Sequence, residues 1–320
     1  MLTPKLAIVI PCFNEEEVIS KTINELEKVV LSLINTFKIS SDSYLFLVDD
    51  GSKDKTWEII NECSKTSKIQ VKGVKFTRNF GNQSAILAGY DEVRKLGADM
   101  TLTIDADLQQ DITKIPEFVE SYKQGYDIVA GVKNNRKTDG IIKSLLSEFF
   151  YVFINWMGVK LKPNHSEYRL ISKRTLDIIS HFKEKNIFLR GLFSELGLKT
   201  KYIHFDVKER EYGQSKFSLI SLFRLALNGI FSYSTYPLRL VFIVGIVISL
   251  GSFTVAFLIF LEELFNVNLF YDIEFFKVWT SFIEGIQILC IGIIGEYIGQ
   301  ILLEVKGRPC YLIAQELNIN

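Results

Sequence analysis

The chain has 320 residues, which is long enough for one large domain and a second, smaller part. It carries 37 basic and 37 acidic residues and is formally neutral, so it lacks the basic excess that is typical of nucleic-acid-binding proteins. The four cysteines, at positions 12, 63, 290 and 310, have neither the spacing of a disulfide framework nor that of a metal site, which favours reduced thiols in a cytosolic compartment.

Short apolar runs alternate with helical patterns over the first 130 residues. These runs predict five β-strands, at residues 5–10, 44–48, 71–76, 100–104 and 127–130. Pro11 is expected to stop the first strand, Asn14 to cap the helix that follows it, and Asp54 to cap the next helix. The alternation of strand, polar loop and helix predicts an α/β fold, in which a mostly parallel sheet has helices on both faces.

Most of the predicted strands end in polar or charged residues. Asp49 and Asp50 follow the second strand, Arg78 follows the third, and Asp105 and Asp107 follow the fourth. A parallel sheet gathers such ends at one edge, where open α/β sheets bind ligands. Two carboxylates separated by one residue can chelate a hard divalent ion, although a solvated acidic turn or a helix cap has the same pattern. No glycine fingerprint of a dinucleotide site follows the first strand, so a different nucleotide ligand is expected.

Four motifs follow one another in a specific order and spacing. They are Pro11-Cys12-Phe13-Asn14-Glu15, Val48-Asp49-Asp50-Gly51-Ser52, Arg78-Asn79-Phe80-Gly81 and Asp105-Ala106-Asp107-Leu108-Gln109. In this combination the chain resembles the family 2 glycosyltransferases of the GT-A fold. Within them it is similar to the polyisoprenyl-phosphate glycosyltransferases, which include dolichyl-phosphate mannose synthases and bacterial bactoprenol glucosyltransferases. The resemblance covers nearly the whole chain and implies a Rossmann-like GT-A sheet.

The resemblance implies a role for each matching residue at the donor end of the site. It implies contacts to a nucleotide sugar from Pro11, Asn14, Glu15, Asp49, Asp50, Arg78 and Asp105. It further implies that Asp105, Asp107 and Gln109 hold Mg²⁺ or Mn²⁺, which would neutralise the charge that develops on the leaving nucleoside diphosphate. Two points stay open: which of Asp49 and Asp50 contacts the base or the ribose, and whether Arg78 reaches a phosphate or pairs with a surface acid.

The segment from Asn164 to Leu170 departs from the pattern of this family. Many relatives have an aspartate where Asn164 stands and a glycine and a second acid after it, whereas this chain keeps an acid only at Glu167. The general base is therefore open, and His165 fits both that role and a structural one. A lipid monophosphate has a second pKa of about 6, as a phosphorylated side chain has, so it is largely a nucleophilic dianion at neutral pH and needs no strong base.

Cations that orient the acceptor phosphate matter more for such a reaction than a base. Arg136 lies in a basic loop after Gly131, and residues 210–217 resemble the Arg-x-x-Gly-x-Ser-Lys segment of the family. Each of these cations could instead be a surface charge on a loop. The candidate catalytic residues are Asp107, Arg136, Glu167, Arg169, Arg210, Ser215 and Lys216.

The last third of the chain is strongly apolar and predicts a membrane hairpin. Residues 240–261 contain no charge, and about 20 apolar residues suffice to cross the hydrocarbon core. Residues 278–303 form a second predicted span, which Glu284 and Glu296 interrupt. The predicted parts are a catalytic domain at 1–217, an interfacial helix and linker at 218–237, a hairpin at 238–304 and a cytoplasmic tail at 305–320. The catalytic domain includes an aromatic helix at 141–159, which is either part of the core or an amphipathic helix in the membrane interface.

Basic residues flank the predicted spans on one side. Arg239 precedes the first span, Lys306 and Arg308 follow the second, and the loop between the spans is mainly acidic. Because lysine and arginine mark the cytoplasmic side, the catalytic domain and both termini are expected to be cytoplasmic. The expected location is therefore the cytoplasmic (inner) membrane of a bacterium, with more than one span.

Together with the resemblance, these observations predict a metal-dependent hexosyltransferase that acts on a polyprenyl phosphate. The resemblance alone implies that the transfer inverts the anomeric configuration. Closeness to the bacterial members favours UDP-glucose and undecaprenyl phosphate, with mannose or N-acetylglucosamine transfer as alternatives. A processive polysaccharide synthase and a non-catalytic membrane scaffold that binds nucleotide sugars are rival hypotheses, although the Gln-x-x-Arg-Trp motif of such synthases is absent from the sequence. A flippase partner and self-association through Gly292, Gly295 and Gly299 stay open.

Overall fold

The computed structural model describes residues 3–134, 165–182, 184, 189–207, 235–265 and 273–319, which belong to two compact units. The first unit contains the described residues up to 207 together with residues 309–319. The second unit contains the described residues from 235 to 308. The predicted helix at 141–159 and almost all of the predicted interfacial helix at 218–237 lie outside the described residues.

One sheet organises the first unit, and helices connect many of its strands. In the described part of the chain the strands are β1 (Leu6–Cys12), β2 (Tyr44–Asp49), β3 (Gln70–Phe76), β4 (Met100–Thr103), β5 (Ile128–Lys133), β6 (His165–Ser172), β7 (Thr200–Phe205) and β8 (Ile313–Leu317). The helices of this unit are α1 (Ile19–Asn35), α2 (Thr56–Thr66), α3 (Asn82–Lys95), α4 (Ile115–Lys123), α5 (Lys173–Ile179) and α6 (Leu189–Glu195).

The strand order across the sheet is β7-β5-β6-β4-β1-β2-β3-β8. The central strands β4, β1, β2 and β3 are parallel neighbours, and β5 is parallel to β7. By contrast, β6 runs antiparallel to both β4 and β5, and β8 runs antiparallel to β3. The predicted mostly parallel sheet is confirmed. The position of β6 beside β4 brings the segment after Asn164 next to the strand that ends in the Asp-x-Asp motif.

Apolar side chains cover both faces of the central strands. Leu6, Ile8 and Ile10 of β1 belong to the core that includes α1 and α4, whereas Ala7 and Val9 belong to the core that includes α3. The helices therefore lie on both faces of the sheet, as predicted. Strands that are buried on both sides have unbroken apolar runs rather than an alternating pattern, which explains why these strands are readable in the sequence.

The loop after β1 differs from its prediction. β1 continues through Pro11 and ends at Cys12. Its neighbour β4 pairs with it only as far as Val9. Pro11 therefore has a paired strand on one side only, a position in which a strand tolerates proline. Asn14 does not cap α1, which begins at Ile19 without a side-chain cap. Asp54 does act near its predicted place, because its carboxylate accepts a hydrogen bond of 3.1 Å from the backbone nitrogen of Thr56.

The C-terminal residues also differ from their prediction. The sequence predicts a tail over residues 305–320, but residues 313–317 form β8 and pair with β3 at the edge of the sheet. Gln315 and Glu316, in the middle of this strand, are exposed. An edge strand of an antiparallel pair needs few apolar residues when one side faces water, and so no apolar run marks it in the sequence.

The second unit contains two long apolar helices, α7 (Tyr236–Phe265) and α8 (Ile273–Val305). Within them, Tyr236–Val255 and Phe282–Val305 are long and apolar enough to cross a membrane. Large apolar side chains point outward, and Phe242 and Ile288 are 68% and 70% exposed. Such a surface is stable only against another apolar phase, which favours membrane association of this pair of helices. Both helices extend beyond the predicted spans at 240–261 and 278–303.

Candidate active site

The loops after β1 and β2 are joined by a series of hydrogen bonds at the carboxyl edge of the sheet. The backbone nitrogen of Asn14 donates to Oγ of Ser52 at 2.9 Å, and its side-chain oxygen accepts from the backbone nitrogen of Lys53 at 3.0 Å. The backbone nitrogen of Glu15 donates to Oγ1 of Thr56 at 2.9 Å. Asn14 has a left-handed φ of 52°, which asparagine tolerates better than most residues. The structure therefore brings the Pro11–Glu15 and Asp49–Ser52 motifs together.

Asp49 and Asp50 both stabilise loops. Both oxygens of Asp50 accept hydrogen bonds from the next motif, at 2.6 Å from the backbone nitrogen of Phe80 and at 2.9 Å from that of Gly81. Asp49 is fully buried, and its Oδ1 accepts from the backbone nitrogen of Ser52 at 2.9 Å. Burial raises the pKa of both carboxylates, and these backbone hydrogen bonds oppose that shift. Asp50 thus connects the second motif to the third.

Residues 77–81, which we call the donor loop, pass close to the turn that contains Gly51. A β-carbon on Gly51 would lie 2.4 Å from the carbonyl carbon of Arg78, and Gly51 has a φ of 68°. The guanidinium of Arg78 lies 4.0 Å from the centre of the Phe80 ring. Arg78 is exposed and, among the described residues, pairs with no acid. This exposed position suits contact with a phosphate.

The Asp-x-Asp motif lies directly after β4, and a glutamine fixes its first acid. Nε2 of Gln110 donates to Oδ2 of Asp105 at 2.6 Å, and Oε1 of Gln110 accepts from the backbone nitrogen of Asp105 at 2.9 Å. Nε2 of Gln110 also lies 3.3 Å from Oγ of Ser166 on β6. The family resemblance implied a role in cation binding for Gln109, not for Gln110. The backbone nitrogen of Gln109 donates to Oδ1 of Asp107 at 3.2 Å, and its side chain forms no hydrogen bond with a described residue.

Negative charges dominate the surroundings of Asp105. Burial, followed by the charges of Asp107 and Glu167, raises the pKa of Asp105 to about 7, while Lys133 and Arg190 act in the opposite direction. Within the described ranges no three histidine, cysteine, aspartate or glutamate side chains form a metal-binding group. The two acids would therefore share a cation with phosphate oxygens, water or an amide oxygen, a ligand set that suits Mg²⁺ or Mn²⁺. A divalent cation would also offset the like charges around Asp105, so the donor set fits such an ion.

A second charged group comes from β6 and α6. Nε of Arg190 lies 2.7 Å from Oε1 of Glu167. Two residues along β6, the side chain of Arg169 lies 3.9 Å from the ring centre of Phe193 and is 1% exposed. None of its guanidinium nitrogens has a hydrogen-bond acceptor in the part of the chain that the structure describes. Burial lowers the pKa of Arg169, and the charge of Glu167 opposes this shift.

Several predicted site residues cannot be placed. Arg136, Arg210, Ser215 and Lys216 lie outside the described residues, as does Asn164. Conversely, Gln110, Lys133, Ser166 and Arg190 were not among the predicted site residues. Arg190 had a signal in the sequence, because it is the single charge in an apolar run from residue 187 to residue 193. Such a charge within a buried helix usually has a specific partner.

Comparison with known proteins identifies related sequences along nearly the whole chain. The sequence model of the family described as Glycosyl transferase family 2 matches residues 7–195. Uncharacterized glycosyltransferase YkoT of Bacillus subtilis (strain 168) is 41% identical over 315 residues, which cover 98% of this chain and 92% of that protein. The bactoprenol glucosyl transferase of Shigella phage SfX is 35% identical over 313 residues, which cover 97% of this chain and 98% of that protein. Among solved structures, mannosyl-3-phosphoglycerate synthase from Rubrobacter xylanophilus is similar with a TM-score of 0.45 and 14% identity, covering 70% of this chain and 71% of that chain.

Proposed function

Because the chain belongs to glycosyl transferase family 2, we propose that it transfers one hexose, with glucose favoured, from a nucleoside diphosphate sugar to a polyprenyl phosphate. The observation that carries this proposal is the charged cluster at the carboxyl end of β4. There, Asp105 and Asp107 are joined by a third acid, Glu167. The cations Lys133 and Arg190 act on Asp105 in the opposite direction. The name of the relative from phage SfX supports both the lipid acceptor and glucose.

The donor would bind along the carboxyl edge of β1, β2 and β3. The loops that Asp50, Asn14 and Ser52 connect would form the nucleotide side, and the exposed Arg78 on the donor loop would contact a phosphate. Asp105 and Asp107 would hold Mg²⁺ or Mn²⁺, whose charge stabilises the departing nucleoside diphosphate. Gln110 fixes the orientation of Asp105 through two hydrogen bonds, so this carboxylate is already in place before substrate binds.

The acceptor chemistry needs positioning more than it needs a base. A phosphate oxygen of the lipid attacks the anomeric carbon, the bond from this carbon to the diphosphate oxygen breaks, and the configuration inverts. Because the lipid monophosphate loses its second proton with a pKa of about 6, no protein group has to remove a proton at neutral pH. Glu167 is held in an ion pair with Arg190, which suits an electrostatic role in the site.

Arg190 and Arg169 have different roles in this proposal. Arg190, whose side chain is 33% exposed and pairs with Glu167, would contact a phosphate. Arg169 is buried and interacts electrostatically with Glu167, so we propose that it acts through that acid rather than by touching the substrate. Arg136, Arg210, Ser215 and Lys216 stay candidates for the acceptor phosphate on the strength of the family resemblance.

The two apolar helices would anchor the enzyme beside its lipid acceptor. We propose that both termini and the catalytic unit are on the cytoplasmic side of a bacterial inner membrane, because the basic residues Arg239, Lys306 and Arg308 flank the hairpin. Nucleotide sugars are available on that side. Confinement to the membrane surface would raise the effective concentration of the polyprenyl phosphate.

The test is transfer of labelled sugar into lipid. Membranes that contain the full chain are incubated separately with radiolabelled UDP-glucose, UDP-N-acetylglucosamine and GDP-mannose, and label is counted in the organic phase. We expect label from one donor, UDP-glucose, and expect Asp107→Ala to reduce it at least a hundredfold, because one of the two proposed cation ligands is lost. Asp42→Ala, an exposed acid just before β2, is the matched control and should retain full transfer.

Two other results would point to the rival hypotheses. Long water-insoluble polymers in place of a single sugar on lipid would indicate a processive synthase. Wild-type function in cells that carry Asp107→Ala would indicate a non-catalytic scaffold.

A further inference from the structure

The C-terminal segment, residues 309–319, returns to the catalytic sheet after the second apolar helix ends at Val305. Its strand β8 pairs with β3 from Gly73 to Phe76, with an irregular register at Lys75 and Phe76. Just before β8, the backbone oxygen of Leu312 accepts a 3.0 Å hydrogen bond from the backbone nitrogen of Thr77. Thr77 is the first residue of the donor loop. The segment is therefore bonded directly to the start of this loop.

Tyr311 connects the two elements on either side of the donor loop. Its ring stacks on that of Phe76 at the end of β3, with ring centres 5.2 Å apart and planes at 10°. Its hydroxyl donates to Oδ2 of Asp91 on α3 at 2.9 Å. Burial and the charge of Asp91 raise the pKa of Tyr311, so the phenol remains a donor at neutral pH. Because β3 precedes the donor loop and α3 follows it, Tyr311 contacts the elements at both ends of this loop.

The contact continues into the donor loop itself. Phe76 meets Phe80 edge to face, with ring centres 5.7 Å apart, and the backbone nitrogen of Phe80 donates to Asp50. The guanidinium of Arg78 lies over the same Phe80 ring. Tyr311, Phe76 and Phe80 thus form one row of aromatic contacts that ends at Asp50 and Arg78.

The same segment also holds the helix after the second motif. Nε1 of Trp57 on α2 donates to Oε1 of Gln315 at 2.5 Å. Thr56, the residue before Trp57, accepts the backbone hydrogen bond of Glu15. Both loops that border the proposed nucleotide position are therefore connected to residues 309–319.

We propose that the C-terminal segment is a positioning element of the nucleotide-sugar site, and that Tyr311 is the residue that sets the position of the donor loop. The inference rests on the proposed function for the identity of the ligand, a nucleoside diphosphate sugar. A loop that is fixed before binding loses less conformational entropy when the ligand arrives. Loss of Tyr311 should therefore weaken donor binding without changing the chemical step or the binding of the lipid.

The experiment compares Tyr311→Ala and Tyr311→Phe with Glu316→Ala in the purified full chain. Glu316 lies on the same strand, is exposed, and is the matched control. Calorimetry gives the dissociation constant of whichever of UDP and GDP binds the wild type more tightly, and transfer assays give KM and kcat. Tyr311→Ala should raise the dissociation constant and the donor KM about three- to tenfold, as expected for loss of an aromatic pair and a hydrogen bond, with kcat and the lipid KM within twofold.

Each other outcome has a defined meaning. Tyr311→Phe keeps the stacking and should show a smaller rise, of about two- to threefold, and it decides the question if Tyr311→Ala does not fold. Unchanged affinity in both variants, an equal rise in Glu316→Ala, or a change in the lipid KM alone would overturn the inference. Wild-type protein that binds UDP but transfers no sugar would refute the proposed function, whereas weaker UDP binding by Tyr311→Ala would still support the role of the segment.

Discussion

Gln109 and Gln110 are neighbours in the chain but have different surroundings. Gln110 is buried and binds both the backbone and the carboxylate of Asp105, whereas Gln109 is half-buried and bonds to Asp107 through its backbone. Leu108 between them and Asp107 has a left-handed φ of 54°, a conformation that costs a leucine about 1 kcal/mol or more. This turn directs the second glutamine, rather than the first, back toward the end of β4.

Substitution of each glutamine should separate the orientation of Asp105 by Gln110 from the expected contact of Gln109 with the cation. Gln110→Ala removes two hydrogen bonds from Asp105 and should lower both the melting temperature and kcat/KM, the latter about tenfold or more. Gln109→Ala should leave the melting temperature unchanged and raise the Mg²⁺ or Mn²⁺ concentration needed for half-maximal transfer. Thermal melts and metal titrations of the two variants check this, and equal losses of stability in both would contradict it.

The candidate residues that the sequence predicted are mainly those that follow parallel strands. Asp49, Asp50, Arg78 and Asp105 are such candidates, because the carboxyl ends of parallel strands meet at one edge. Arg190 and Ser166 were missed because they come from α6 and β6, which no simple pattern marked. β6 carries Glu167 and Arg169 among its other residues, and these two charges interrupt the apolar pattern that would predict a strand. The charged candidate residues of β6 therefore make this strand hard to predict from the sequence.

At the scale of elements, the approach of the donor loop to the turn after β2 depends on a glycine. A β-carbon at Gly51 would lie 2.4–2.7 Å from three backbone atoms of Arg78, and backbone atoms cannot rotate away as a side chain can. Gly51 also has a φ of 68°. Gly97, after α3, has a similar φ of 72°, but no atom lies within 4 Å of a β-carbon there.

These two glycines form a matched pair for a substitution test. Gly51→Ala and Gly97→Ala carry the same type of backbone strain, about 1 kcal/mol, but only Gly51→Ala should displace the donor loop. We expect Gly51→Ala to raise the donor KM at least tenfold and Gly97→Ala to leave it unchanged. Steady-state kinetics with varied nucleotide sugar measures this. A similar KM in both variants would show that the close approach has no role in donor binding.

The strands of the central sheet were predictable and the edge strands were not, for a physical reason. β1, β2 and β4 are buried along their whole length, and their mainly apolar or β-branched runs are easy to recognise. β8 is a five-residue edge strand with exposed polar residues, and it pairs with a strand about 240 residues earlier in the chain. Local patterns contain no information about such a distant partner. The strand at residues 313–317, within the predicted tail, was not predicted for this reason.

At the scale of the whole molecule, the expected topology can be tested by thiol labelling. In a chain whose four native cysteines are replaced by serine, Asn268→Cys lies between the two apolar helices and Ala314→Cys lies on β8. If both termini are cytoplasmic, a membrane-impermeant maleimide added to intact cells should label Asn268→Cys and should label Ala314→Cys only after the membrane is opened. The reverse pattern would contradict the orientation that the basic flanking residues predict.

The two long apolar helices were predictable because length and apolarity, which a membrane span requires, can be read from composition. The helices nevertheless run from Tyr236 to Phe265 and from Ile273 to Val305, several residues beyond the predicted limits at most ends. Helical hydrogen bonding continues past the apolar core, and hydropathy alone does not show where it stops. The return of the chain to the catalytic sheet, which makes its last residues part of the first unit, had no signal of this kind.

The most direct test of the central claim is the mass of the lipid product formed by the purified full chain. Undecaprenyl phosphate, UDP-glucose and Mg²⁺ or Mn²⁺ are supplied, and the extracted lipid is analysed by mass spectrometry beside the amount of UDP released. We predict that the lipid gains one hexose, keeps its single phosphate, and appears in an amount equal to that of UDP. A lipid that gains no sugar from UDP-glucose, UDP-N-acetylglucosamine or GDP-mannose would contradict the account.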